Sequence, residues 1–165
     1  MIGKDDDQEG FILRLLVVFL YLGLLILMTC TASVTALIHN LEIKFIMTED
    51  PDFLSFFEYR FNYTERYYIV QKFGHFVSFF LLAAMLMVFF TSFRCTMAVS
   101  LTAAFFTEFA QLFFSRTGCL VDMIYDLLGA GTFLILHLIW SVLDSHWSQI
   151  QYNRSGGSLK RYFFS

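Results

Sequence analysis

Proline is almost missing from this chain: there is one in 165 residues, and only nine glycines. Both residues interrupt helices and build turns, so their scarcity argues against a loop-rich or all-β fold. Charge is scarce as well. Asp, Glu, Lys and Arg make up 15% of the chain, where a soluble domain carries about one quarter. The net charge of −3 holds no basic excess, which leaves nucleic-acid binding without support. Cys30, Cys95 and Cys119 stand singly, with no CxxC pair, so they read as small apolar residues and not as a disulfide framework. HExxH, GxSxG and a Gly-rich phosphate loop are all absent. What the chain does have is hydrophobic surface: 58% of its residues are apolar and 22 are phenylalanine. That composition makes lipid the expected solvent.

Four apolar runs stand out, at residues 15–38, 76–93, 95–114 and 127–143. Crossing about 30 Å of hydrocarbon takes about 20 helical residues. The fourth run reaches that length comfortably if its helix begins at Asp122. The expected fold is all-α: a single membrane domain over residues 1–165, built as a bundle of four transmembrane helices. The first run is longer than the apolar core of a signal peptide, and acids (Asp5, Asp6, Asp7, Glu9) dominate the segment before it. It is therefore expected to be a retained helix, although Val34-Thr-Ala36 could pass for a cleavage site.

Residues 39–71 mix acids and bases with a dense set of aromatic rings from Phe53 to Tyr68. Such rings concentrate where lipid meets water, so this stretch is expected to lie on the membrane surface. Asp50-Pro51 reads as a cap and first helical position, predicting a short helix over residues 51–59. Residues 145–165, with Ser155-Gly-Gly-Ser158, read as a polar, partly flexible tail. The Asn62-Tyr-Thr64 sequon would matter only in a eukaryotic secretory pathway. Lys4, Arg14, Arg94, Arg154, Lys160 and Arg161 share one side of a four-span bundle, and the positive-inside rule assigns that side, with both termini, to the cytoplasm.

The polar residues inside these apolar runs carry the functional argument. Glu108, Gln111 and Ser115 fall on one stripe of the third run, which continues back through the small residues Ala104 and Ser100. Asp122, Asp126 and Gly129 repeat the spacing in the fourth. The connector at residues 115–121 makes these two helices an antiparallel pair, so both stripes lie at one face of the membrane. His75 opens the second run and reaches that face by crossing parity, with Lys72 three residues before it. Lys72, His75, Glu108, Gln111, Arg116, Asp122 and Asp126 therefore gather at one end of the bundle. Gly129 is a packing residue. His137 reads as a structural histidine satisfied by a neighbouring helix.

Arg116 is suited to bidentate recognition of a phosphate or carboxylate and should lie within ion-pair reach of Glu108 or Asp122. Asp122 and Asp126 sit where a helix N-terminus favours negative charge. His75 and Glu108 could exchange a proton. A histidine with three carboxylates could also hold a metal, although no compact ligand motif indicates one, and no cofactor is expected. Polar residues in membrane helices also pair simply to fix a bundle, and that reading stays open.

At these residues the chain resembles the VanZ-like family of small polytopic bacterial membrane proteins. The resemblance rests on Lys72-Phe-Gly-His75, Glu108-Phe-Ala-Gln111, Arg116, Asp122, Asp126 and Gly129, over a core at residues 72–143. In one place the chain departs from the pattern: Asp126 stands where the family usually has asparagine. The resemblance implies a multi-pass protein of the bacterial plasma membrane and cell envelope. The family's namesake is linked to resistance to the glycopeptide teicoplanin.

The expected role is non-enzymatic. An extracytoplasmic-facing pocket would bind, or help move, an anionic lipid or peptidoglycan-precursor headgroup. Two alternatives stay open: a membrane-embedded acid–base or metal-assisted hydrolase, and a non-catalytic scaffold for an envelope partner.

Overall fold

The structure, a computed structural model, describes residues 3–58, 64–114 and 118–154. Ser115, Arg116, Asn62 of the sequon and residues 155–165 lie outside the described residues. Among those described there are helices and no strands. The order is α1 (Gly3–Cys30), α2 (Val34–Asn40), a single 3-10 turn (Ser55–Phe57), α3 (Arg66–Phe90), α4 (Phe93–Gln111) and α5 (Leu120–Arg154). By its contacts the chain forms two units, Met1–Phe133 and Leu134–Ser165.

In the first unit α1, α3 and α4 pack against one another. Their shared core holds Leu25, Phe79, Leu82, Ala83, Leu86, Ala104 and Ala130. The Tyr21 hydroxyl donates to the Ser78 carbonyl at 2.8 Å and ties α1 to α3. Large apolar side chains such as Phe11, Leu16, Phe19 and Leu20 are left on the outside of α1, as expected of a helix whose solvent is hydrocarbon.

The α3–α4 turn takes only two residues. Thr91 adopts the left-handed conformation (φ 50°) and its N–H bonds the Met87 carbonyl, ending α3. Ser92 then caps α4 through its hydroxyl, which accepts from Cys95 N. A β-branched residue in that conformation is strained, and so short a link leaves α4 no path except back along α3.

Three helices are long and apolar enough to cross a membrane: residues 8–30, 66–90 and 120–154. The fourth expected span, α4, does not meet that measure. Besides the exposed Arg94, the cause is its inward stripe, where Thr96, Ser100, Thr107, Glu108 and Gln111 are all buried. These residues lower the mean hydropathy of α4 without being exposed.

Other boundaries also differ from those expected. The second expected span, α3, begins at Arg66, so Tyr67, Tyr68 and Lys72 belong to it and His75 lies well inside it. In place of a helix over 51–59 there is the 3-10 turn, whose N-cap is Leu54 and not Asp50. Asp52 Oδ1 accepts from Leu54 N (3.0 Å) and Ser55 N (3.2 Å). The segment is strapped to α4: Thr48 N donates to the Phe113 carbonyl, and Phe53 stacks on Phe109. In the second unit α5 continues to Arg154, so residues 145–154 are helical and not part of a polar tail. His137 is exposed on this helix.

Two glycines mark close backbone approaches. A Cβ on Gly129 would lie 2.0 Å from the Phe76 carbonyl oxygen, and one on Gly118 would lie 2.0 Å from that of Glu108. Nothing flexible stands in either place, so the backbone itself would have to move. Gly129→Ala is expected to destabilise the protein by about 1–3 kcal/mol, the usual cost of overpacking. Gly131→Ala, with open space around it, should leave stability equal or raise it by up to about 1 kcal/mol through helix propensity. Thermal unfolding of the two purified variants in detergent checks the contrast; equal melting points would refute it.

Candidate functional site

The first turns of α5, the last turn of α4 and the middle of α3 meet at one end of the first unit. α4 runs back along α3, and the start of α5 meets α3 with both chains running in the same direction, Asp122 at Lys72 and Asp126 at His75. Gly129 comes against the Phe76 backbone, and one turn nearer the start of α5 Asp126 meets His75, the residue just before Phe76. One further turn sets Asp122 opposite Lys72.

The side chains make these contacts. His75 Nδ1 donates to Asp126 Oδ1 at 2.9 Å. The same nitrogen lies 3.6 Å from Glu108 Oε1, and His75 Nε2 lies 3.8 Å from Asp122 Oδ2. The Lys72 ammonium donates to Asp122 Oδ1 and stands 4.5 Å from the centre of the Tyr68 ring. Glu108 is held at both oxygens: Oε1 accepts from Gln111 Nε2 and Oε2 from Cys119 N, each at 3.0 Å. The three acids are sealed off, with relative exposures of 0% for Glu108, 1% for Asp122 and 0% for Asp126. Asp126 Oδ2 is buried with no hydrogen-bond partner among the described residues.

The structure thus brings together Lys72, His75, Glu108, Gln111, Asp122 and Asp126. It says nothing of Arg116, which lies outside the described residues, and the cation that it shows on Asp122 is Lys72. A carboxylate cannot remain ionised in an apolar interior without opposing charge or donors, which is why Lys72 is buried with the acids. His75, Glu108 and Asp122 each offer one ligand atom within 4.8 Å of the others, a set able to hold a metal ion. Burial pushes the thiol of Cys119, just ahead of α5, above the usual cysteine range.

Beside the cluster runs a groove of about 460 Å³, lined by Ile69, Lys72, Phe73, Phe76, Tyr125 and Leu128. Apart from Lys72, sequence reasoning singled out none of these residues. Apolar side chains in an apolar helix carry no signature of a groove, although Tyr125, one turn after Asp122, offered a polar hint.

A family model described as VanZ/LLP1 matches residues 11–142. The chain belongs to the VanZ-like family. It is also 36% identical over 116 residues to the "Uncharacterized membrane protein YwnJ" of Bacillus subtilis (strain 168), a match covering 70% of this chain and 83% of that protein. No solved structure matches. With three candidate spans and a membrane-protein relative, the chain is a membrane protein in contact with lipid.

The Lys72–Asp122 pair gives a direct test of how the site is held. Removing one partner leaves the other charged and buried, so Lys72→Met and Asp122→Leu should each cost about 3–5 kcal/mol. The double variant should cost clearly less than the sum. Thermal unfolding of all three proteins checks this; additive losses would mean that the pair is not coupled.

Proposed function

We propose that this protein is a bacterial envelope membrane protein that binds, or helps move, an anionic amphiphile, either a lipid or a lipid-linked cell-wall precursor. The groove beside Lys72 is the observation that carries this reading. Its walls are apolar on the side of Phe73, Phe76 and Leu128, suited to an alkyl chain. Its one cation sits where the groove meets the polar cluster, suited to a headgroup. Arg116, on sequence grounds, would supply a planar bidentate donor for phosphate.

In this reading α4 also crosses the membrane, as an interior helix. Its 19 residues extend about 28 Å at 1.5 Å per residue. The cluster then faces the extracytoplasmic side, the aromatic segment lies at the interface above it, and both termini are cytoplasmic. An effect on teicoplanin susceptibility would follow if the amphiphile were a cell-wall precursor.

The test is lipid retention. Native mass spectrometry of protein gently extracted from a bacterial membrane should show an anionic lipid bound one to one. Leu128→Trp, which fills the groove, and Arg116→Lys, which keeps charge but loses the fork, should each weaken retention at least about tenfold, worth about 1.4 kcal/mol. Wild-type protein that holds no anionic lipid, or variants that retain it unchanged, would defeat the proposal.

A further inference from the structure

We propose that His75, Glu108 and Asp122 bind one divalent transition-series cation, such as Zn²⁺ or Mn²⁺, with Asp126 as the positioning residue that orients His75. This inference is independent of the amphiphile reading, and either can stand without the other.

The argument begins with charge. Among the described residues, the cluster holds three carboxylates and one ammonium, that of Lys72, all away from solvent. Two negative charges are left over. Two protons could cancel them, or one divalent cation could. The positions of the atoms favour the cation.

His75 Nδ1 is engaged by Asp126 Oδ1 at 2.9 Å, which leaves the lone pair on Nε2. A carboxylate behind a histidine in this way is the usual outer support of a metal ligand. The free nitrogen faces Asp122 Oδ2 at 3.8 Å, too far for a hydrogen bond. In a tetrahedral site with bonds of about 2.0–2.2 Å, neighbouring ligands lie about 3.3–3.6 Å apart. One ligand atom from each of His75, Glu108 and Asp122 already lies within 4.8 Å of the others, so a small contraction closes the site.

Lys72 does not stand in the way. It occupies Asp122 Oδ1 and leaves Oδ2, the oxygen facing His75, to the ion. The second observation is Asp126 Oδ2, fully buried with no partner among the described residues, in the same carboxylate that touches His75. An orphan acceptor there lacks positive charge, and a cation seated among the three ligands supplies it. One imidazole nitrogen with two or three oxygens suits Zn²⁺ or Mn²⁺; Ca²⁺ would need six to eight oxygens.

Full-length protein, purified without chelators and with any affinity tag removed, is titrated with Zn²⁺ and with Co²⁺. Saturable binding of one ion per chain is expected. The Co²⁺ form should show visible bands of a nitrogen–oxygen ligand set. X-ray absorption of the Zn²⁺ form should show one imidazole and two or three oxygens at about 2.0–2.2 Å. His75→Gln and Glu108→Gln should abolish tight binding. Asp126→Asn should keep the one-to-one stoichiometry and weaken affinity about 10–100-fold.

Folded wild-type protein without saturable one-to-one binding overturns the proposal. So does binding unchanged in His75→Gln, or a sulfur in the ligand shell. If the variants fail to fold, the wild-type absorption spectrum still decides: an ion with no imidazole bound is adventitious, and the site does not exist.

Discussion

The contact on which the site depends is the approach of α5 to α3 at Gly129. With no side chain there, the helix reaches the Phe76 carbonyl oxygen, where a Cβ would come within 2.0 Å. Every functional pairing follows from this register. Beside this close approach Asp126 meets His75, and one turn earlier on both helices Asp122 meets Lys72. Gly118 does the same for the connector, holding it against the Glu108 carbonyl and bringing the Cys119 N–H onto the Glu108 side chain. A larger residue at either glycine would separate charges that can exist at this depth only together.

Much of the cluster was legible in the sequence because helical periodicity is a property of the backbone. Lys72 with His75, Glu108 with Gln111, and Asp122 with Asp126 are spaced to share helix faces, and crossing parity sends all three faces to one end. Which cation meets which acid was not legible. Spacing places side chains at a height on a helix, while pairing depends on rotation and on how close two backbones come. Arg116, expected within reach of Glu108 or Asp122, lies outside the described residues; among those described, the cation on Asp122 is Lys72.

The misjudged boundaries have a common cause. Residues 145–154 are polar in places, and polarity suggested a tail, but the stretch contains no glycine or proline to stop a helix already running from Leu120. Polarity also hid the true start of α3, since Arg66 and Lys72 precede its most apolar part. The reverse error came at Asp50-Pro51, a good helix-start signal with too little apolar periodicity behind it. Only a single 3-10 turn forms there, with the Asp52 side chain accepting from the Leu54 N–H ahead of it. Composition reports the solvent of a segment better than it reports its conformation.

The departure at Asp126 can be weighed in the same terms. An asparagine, usual at this place in the family pattern, could still meet His75, accepting through its carbonyl oxygen, and its amide would add a donor. Aspartate keeps the acceptor, removes the donor and adds a negative charge where there is no water to screen it. The added charge makes Asp126 a stronger orienter of His75 and also leaves Oδ2 without a partner. In a site this dry such a charge must be offset by a proton, by a neighbouring base or by a bound cation. The present arrangement commits Lys72 to Asp122, so Asp126 has His75 alone among the described residues. A neutral His75 cannot cancel that charge; it can only pass the demand through its ring to whatever stands at Nε2. The extra carboxylate therefore makes the far side of His75 the place where positive charge is most needed.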